Sequence, residues 1–158
     1  MTATADVVDT IKAHHAELLA AVTSRVNAVV GAARDGAPHA QAVNDLVDLL
    51  RREVVPHARA EEDVLYAAAT DATLRPLVTG MVFEHETLLG LAADLAAAPT
   101  AVDAAVTARG FLEVFAGHVR RENDLLLPAL AVDAGVDLPG VLGRMGEVFT
   151  SYQKDAVG

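Results

Sequence analysis

The sequence predicts an all-α fold, an antiparallel up-down four-helix bundle followed by a short additional C-terminal helix. Three observations carry that reading. Apolar residues recur at steps of three and four through most of the 158 residues, and no stretch sustains the alternation of a half-buried strand. The breaks between periodic stretches are short and rich in Gly, Pro and Asp. Composition agrees, because the chain is 53% hydrophobic but only 4% aromatic, and it is dominated by Ala, Leu and Val. Ala and Leu are among the strongest helix formers.

In the first helix Val8, Ile11, His15, Leu18 and Val22 form the stripe, and RDGAP, with Gly36 and Pro38, ends it. The second carries Val43, Leu46, Leu50, Val54, His57, Glu61 and Val64. Pro56 lies inside it and is expected to kink it by removing a hydrogen bond. Thr73 and Pro76 mark the start of the third, whose stripe is Leu74, Val78, Met81, His85, Leu88 and Leu95. AAAPT ends that helix, and Thr100 with Asp103 resembles a capping arrangement for the fourth. The fourth runs through Val106, Phe111, Val114, His118, Glu122 and Leu125 and is expected to stop near Pro128. A Gly- and Asp-rich loop then leads to a final helix over roughly 138–153. The whole chain, 1–158, suits one domain, with the bundle over about 5–130 and the loop and last helix over about 131–158.

Charge and cysteine content exclude several functions. Twelve Lys and Arg against 22 Asp and Glu give a net charge of −10, which repels phosphate backbones and argues against a nucleic-acid partner. There is no cysteine, so disulfides, iron–sulfur clusters, thiolate zinc sites and thiol catalysis are out. No uninterrupted apolar run approaches the ~20 residues of a membrane span. MTATADVVDT lacks the basic flank and apolar stretch of a signal peptide, so the expectation is a cytoplasmic protein without a membrane partner.

One phrase occurs twice. HARAEEDVLY begins at His57 and HVRRENDLLL begins at His118, with His, Arg, Glu, Asp and Leu at the same offsets. His15 and His85 are each followed by Leu at three and four residues, so the chain reads as two similar helical hairpins. Four of the six histidines, His15, His57, His85 and His118, lie on the apolar stripes of four different helices. His57 and Glu61 stand at i and i+4, as do His118 and Glu122, so each pair shares a helix face with a rise of ~6 Å. Chance would place a Glu four residues after a His roughly 0.3 times in such a chain.

A single His-x-x-x-Glu is commonly a surface pair, and a lone core histidine is usually packing. Four stripe histidines with two matched glutamates are harder to explain that way. An ionised carboxylate buried without a partner costs several kcal/mol or more. No lysine lies near either glutamate, and Arg59 and Arg120 are placed to point away from the histidine face. A divalent cation is the natural neutraliser, and imidazole with carboxylate suits iron, manganese or zinc. The candidate metal residues are therefore His15, His57, Glu61, His85, His118 and Glu122, with no catalytic residue beyond them. His14 is one position off the stripe and is expected in solvent, as is His39. Tyr66 follows the second-helix motif and could approach the site but is not counted among its residues, and Glu62, Glu84 and Glu86 fit charged surface as well as contacts behind the ligands.

IKAHHAELL, HARAEEDVLY, EHETLLGL and HVRRENDLLLPAL together resemble the hemerythrin-like, HHE cation-binding proteins, over roughly residues 5 to 130. The resemblance implies two non-heme iron ions, oxo- or hydroxo-bridged, with His15, His57, His85 and His118 as nitrogen ligands and Glu61 and Glu122 as bridges. In the family's first motif an Asp precedes the ligand, which puts His14 at the Asp position. One departure matters. Oxygen-carrying members have a further histidine four residues after the third-helix ligand, where this chain has Leu89. An open position on both irons favours redox chemistry on dioxygen, hydrogen peroxide or nitric oxide, with an electron donor that the sequence leaves unknown, over reversible oxygen transport. The alternative is a sensor, or an iron- or oxygen-binding module without turnover. Ferritin-like diiron proteins need Glu-x-x-His, and no histidine here has Glu three residues before it.

Overall fold

The structure is a computed structural model that describes residues 3–157; residues 1, 2 and 158 of the expected domain lie outside the described residues. Five helices and no strand are found among them. α1 is Ala3–Asp35, α2 spans 40–68, α3 is Arg75–Ala96, α4 spans 101–132 and α5 is Leu138–Val157.

The punctuation explains most boundaries. α1 ends at Gly36, whose φ of +63° is the left-handed turn that a residue without Cβ adopts at least cost. Asp71, rather than Thr73, caps the third helical stretch: its carboxylate accepts from the Thr73 backbone N–H at 2.8 Å across a short 3₁₀ turn, Ala72–Leu74, before α3. Thr100 caps α4, accepting from the Asp103 N–H at 3.1 Å, as the sequence suggests. Asp137 does the same for α5 through the Gly140 N–H at 3.2 Å. That last helix runs to Val157, four residues beyond the expected end at 153.

One expectation about proline is corrected: the helix does not stop at Pro128 but continues to Val132. Pro56 lies inside α2, as expected. Both prolines follow a widened π turn, Leu50–Val54 before Pro56 and Glu122–Leu126 before Pro128. Proline lacks the N–H of the ordinary turn and its ring crowds the carbonyl four residues back, and a wider turn relieves both. The Arg52 carbonyl that Pro56 leaves free accepts instead from the Gln153 amide of α5 at 3.2 Å.

A π turn also rotates everything beyond it. Leu125, expected on the core stripe, is 52% exposed, while Leu126 and Leu127 are fully buried. Val106 is exposed as well, because α4 turns Ala104, Ala108, Phe111 and Phe115 inward.

α1 packs on α2 and α4, and α3 packs on the same two, which closes the four-helix ring. Two apolar clusters fill it. One holds Val22, Val26, Leu46, Leu95 and Phe111; the other holds Ile11, Leu65, Met81 and Leu130, with Leu138, Val141 and Met145 of α5. α5 therefore covers one end of the bundle. Of the described helices, α1 has the length and hydropathy of a membrane-crossing segment, yet its buried stripe faces α2 and α4. The four stripe histidines and two glutamates lie between the two clusters.

The register change past Glu122 has a measurable consequence. Leu126→Ala is expected to cost ~2–5 kcal/mol and Leu125→Ala less than ~0.5 kcal/mol in denaturant unfolding. Equal losses would show that the π turn does not set the register.

Candidate metal centre

Glu61 and Glu122 each open a π turn, Glu61–Tyr66 and Glu122–Leu126, four residues after a histidine. Such turns recur at functional sites because they re-aim side chains that a regular helix would stagger. All six candidate residues are buried; His57, at 6%, is the most exposed, and His15 and Glu122, at 0%, the least.

The side chains converge through their Nε2 atoms. Glu61 lies at the centre and divides them. Its Oε1 is 2.6 Å from His57 Nε2 and 3.3 Å from His15 Nε2, whereas its Oε2 is 3.3 Å from His85 Nε2 and 3.9 Å from His118 Nε2. Two groups able to hold a cation result, His15 with His57 and Glu61, and His85 with His118 and Glu61. Glu122 approaches differently. Its Oε2 lies between the two groups, 3.7 Å from His15 Nε2 and 3.8 Å from His118 Nε2.

The polar inventory does not close without a cation. Both Glu122 oxygens and Glu61 Oε2 are buried with no hydrogen-bond partner among the described residues. His85 and His118 bring their Nε2 atoms within 3.0 Å of each other. Orphaned carboxylate oxygens and facing imidazole nitrogens in an apolar interior are what a metal ion would satisfy. The residues fit a cation of the imidazole–carboxylate class.

Electrostatics show how the centre copes with its own charge. Burial, then the neighbouring Glu61 charge, push Glu122 well above the usual carboxylate range. Glu61 pays the same burial cost, but the His57 charge and hydrogen bonds with His118, His15 and His57 hold it well below that range. Burial works against protonating His15 and His85, yet their bonds to Glu61 raise both above the ordinary imidazole value. The imidazoles thus favour the ionised form of one carboxylate, while burial beside that charge favours the protonated form of the other.

Behind the Nε2 atoms, three of the four rings are held at Nδ1. His15 meets Asn123 Oδ1 at 2.7 Å, His85 meets Glu62 Oε1 at 2.7 Å, and His118 meets Glu84 Oε2 at 2.9 Å. Arg121 bonds Glu84 in turn. Such partners fix the tautomer and orientation of an imidazole ligand. Tyr66 is buried, stacks on His85 at 5.6 Å between ring centroids and places its Oη 3.3 Å from His118 Nε2. Burial, followed by the charges of Glu61 and Glu122, raises its phenol far above the ordinary value.

The residues left without a role in the sequence separate cleanly here. Glu62, Glu84 and Tyr66 reach the cluster, while Glu86 is exposed and stands apart. Asn123 and Arg121 were missed, although a signal for one existed: Glu62 and Asn123 occupy the same offset, directly after the two repeated glutamates. His14 is half-buried rather than solvated, its ring 5.0 Å from that of His57, and His39 is half-buried at the start of α2, away from the cluster. Arg59 lies over the Tyr152 ring and Arg120 pairs with Asp124 at the surface, so both point away from the histidine face. Leu89 is 45% exposed and borders an apolar crevice with Leu88, Ala92 and Phe111.

The profile of the hemerythrin HHE cation binding domain matches residues 6–130. The chain belongs to that family. The matched span of this hemerythrin-domain protein contains all six converging residues and ends before α5. No curated protein and no solved structure matches the chain.

The metal-free protein has an expected pH dependence. A raised Glu122 favours the protonated folded state, so its contribution falls as pH rises from the unfolded value of 4.5 through the folded one. The raised His15 and His85 act in the same sense, their stabilisation being complete below 6.5 and lost above it. Glu61 opposes them only in acid, where its stabilisation, full above 4.5, is lost as pH falls through its depressed value. Thermal unfolding in chelator should give a higher Tm near pH ~6 than near pH ~8. Glu122→Gln should raise the Tm at the higher pH by roughly 2–4 °C for each kcal/mol recovered. A variant no more stable than the parent there would contradict the assignment.

Proposed function

We propose that this centre holds two non-heme irons, oxo- or hydroxo-bridged, and that the protein binds and reacts with small oxidants: dioxygen, hydrogen peroxide or nitric oxide. The observation that carries the reading is the division of Glu61. One oxygen faces His15 and His57 and the other faces His85 and His118, so one carboxylate serves two cation positions. Each position would have two imidazoles and a share of Glu61, with Glu122 Oε2 between them. Bound iron supplies the electron transfer and Lewis acidity that the side chains lack.

The chain's own residues then have definite tasks. The Asn123, Glu62 and Glu84 contacts hold three imidazoles in one orientation and keep their Nε2 atoms directed inward. Glu122, biased toward its protonated form, would have to release a proton to share in holding a cation. Tyr66, kept as the neutral phenol, is a hydrogen-bond donor for an oxidant at the His85–His118 end. The apolar clusters on either side exclude water. Leu89, where oxygen carriers have a histidine, leaves that end with two imidazoles, which favours reaction over transport.

A sensor reading has one observation in its favour. Tyr152 of α5 donates to Asp63 at 2.6 Å, within the π turn that begins at Glu61, so a movement there would be felt by α5. A large change in hydrogen exchange confined to α5 on oxidation, without turnover, would support it.

Metal analysis of protein made in iron-supplemented cells should find about two irons per chain. His57→Ala should retain about one, and Glu61→Ala should lose most of both. Sustained consumption of peroxide or nitric oxide by the iron-loaded parent supports the enzyme. Stoichiometric binding without turnover rejects it, and a single zinc rejects the diiron centre.

A further inference from the structure

Between α2 and α3 an apolar crevice of about 20 Å³ leads inward from the surface to the centre. Val54, Val55 and Ala58 form one wall, and Leu88, Leu89 and Ala92 form the other. Leu89, 45% exposed, stands at the mouth, while His85, 2% exposed, is the candidate metal residue that the crevice reaches. His85 offers it no free polar atom. Its Nδ1 meets Glu62, and its Nε2 lies 3.3 Å from Glu61 Oε2 and 3.0 Å from His118 Nε2. The π turn Leu50–Val54 borders the same crevice through Leu50 and Val54. Widened turns recur at functional sites, and this one holds no candidate metal residue of its own.

Size and polarity restrict what can occupy such a space. One water needs ~10–15 Å³, so the crevice takes a single molecule of that order. Its walls cannot replace the hydrogen bonds that water, hydrogen peroxide or an anion would lose on entering. A neutral molecule of two atoms has almost none to lose. The approach at the other end is different: the half-open pocket beside His57, about 260 Å³ between α1, α2 and α5, has Thr10 and His14 in its wall.

We propose that the crevice is the entry path by which a neutral diatomic gas, dioxygen or nitric oxide, reaches the His85–His118 end, and that Leu89 sets its width. This rests on the diiron reading above and narrows it, because hydrogen peroxide is the oxidant that the crevice rejects. Leu89 then acts twice, by leaving that end without a further imidazole and by lining the way to it. Tyr66, stacked on His85, stands at the inner end of the same path.

Two probes test the path. Xenon, apolar and unreactive, reports occupancy of the crevice by its chemical shift, and nitric oxide reports entry by its stopped-flow rate of binding to the reduced, iron-loaded chain. Ala92 is half-buried in the wall, so Ala92→Leu should fill the crevice, weaken a saturable xenon site and slow nitric oxide at least about five-fold. Leu89→Ala should widen the mouth and speed nitric oxide about two-fold or more. The rate with hydrogen peroxide should stay within about two-fold in both variants. Ala93→Leu, the same change at the next, exposed position outside the crevice, should alter none of these. Xenon binding undiminished by Ala92→Leu, a nitric oxide rate insensitive to both variants, or equal slowing of peroxide overturns the proposal. Iron content of each sample, with the xenon shift that needs no reaction at the metals, distinguishes failure of the path from failure of the centre.

Discussion

Two carboxylates buried side by side in an aliphatic bundle are the constraint around which this molecule is arranged. Glu61 and Glu122 are both out of water, and among the described residues no lysine or arginine pairs with them there. Burying one unpaired carboxylate costs several kcal/mol even after relaxation. The fold distributes that cost instead of avoiding it. Four imidazoles surround Glu61 and favour its ionised form, while burial and that charge favour the protonated form of Glu122. A cation reverses the second effect and uses the first, so the metal-free state is one the sequence tolerates, not the one it is built for.

The π turns are the backbone's answer to the same constraint. In a regular helix, a glutamate four residues after a histidine lies over it on one face. Glu61 and Glu122 each open a widened turn, and each carboxylate approaches imidazoles on other helices as well as the histidine of its own. The prolines belong to this design. Pro56 and Pro128 follow widened turns, and what Pro56 leaves unsatisfied is met from α5 through Gln153.

This explains why some features were legible in the sequence and others were not. The bundle and its six converging side chains could be read because periodicity and the repeated His-x-x-x-Glu phrase are local properties of one helix. The places of Leu125 and Val106 could not. Leu125 lies in a widened turn that helical periodicity does not reveal, and Val106 depends on which face of α4 turns inward. The residues behind the imidazoles fall between these cases. Glu62 and Asn123 share an offset that the repeat displays, but each serves a histidine on a different helix, α3 for one and α1 for the other. Glu84 meets His118 only because α3 and α4 are neighbours.

The two halves of the repeat, equal in their ligand spacing, are unequal behind it. His85 and His118 are backed by carboxylates, His15 by a neutral amide and His57 by an open cavity. A carboxylate behind an imidazole increases its basicity, so the His85–His118 end is the more electron-rich donor set. Tyr66 stands at that end too. The other end faces α5, which closes over His57 without supplying it a partner. A duplicated bundle would by itself offer two equivalent cation positions. The side chains behind the rings and a fifth helix remove that equivalence, giving one end a phenol and charge, and the other a half-open pocket.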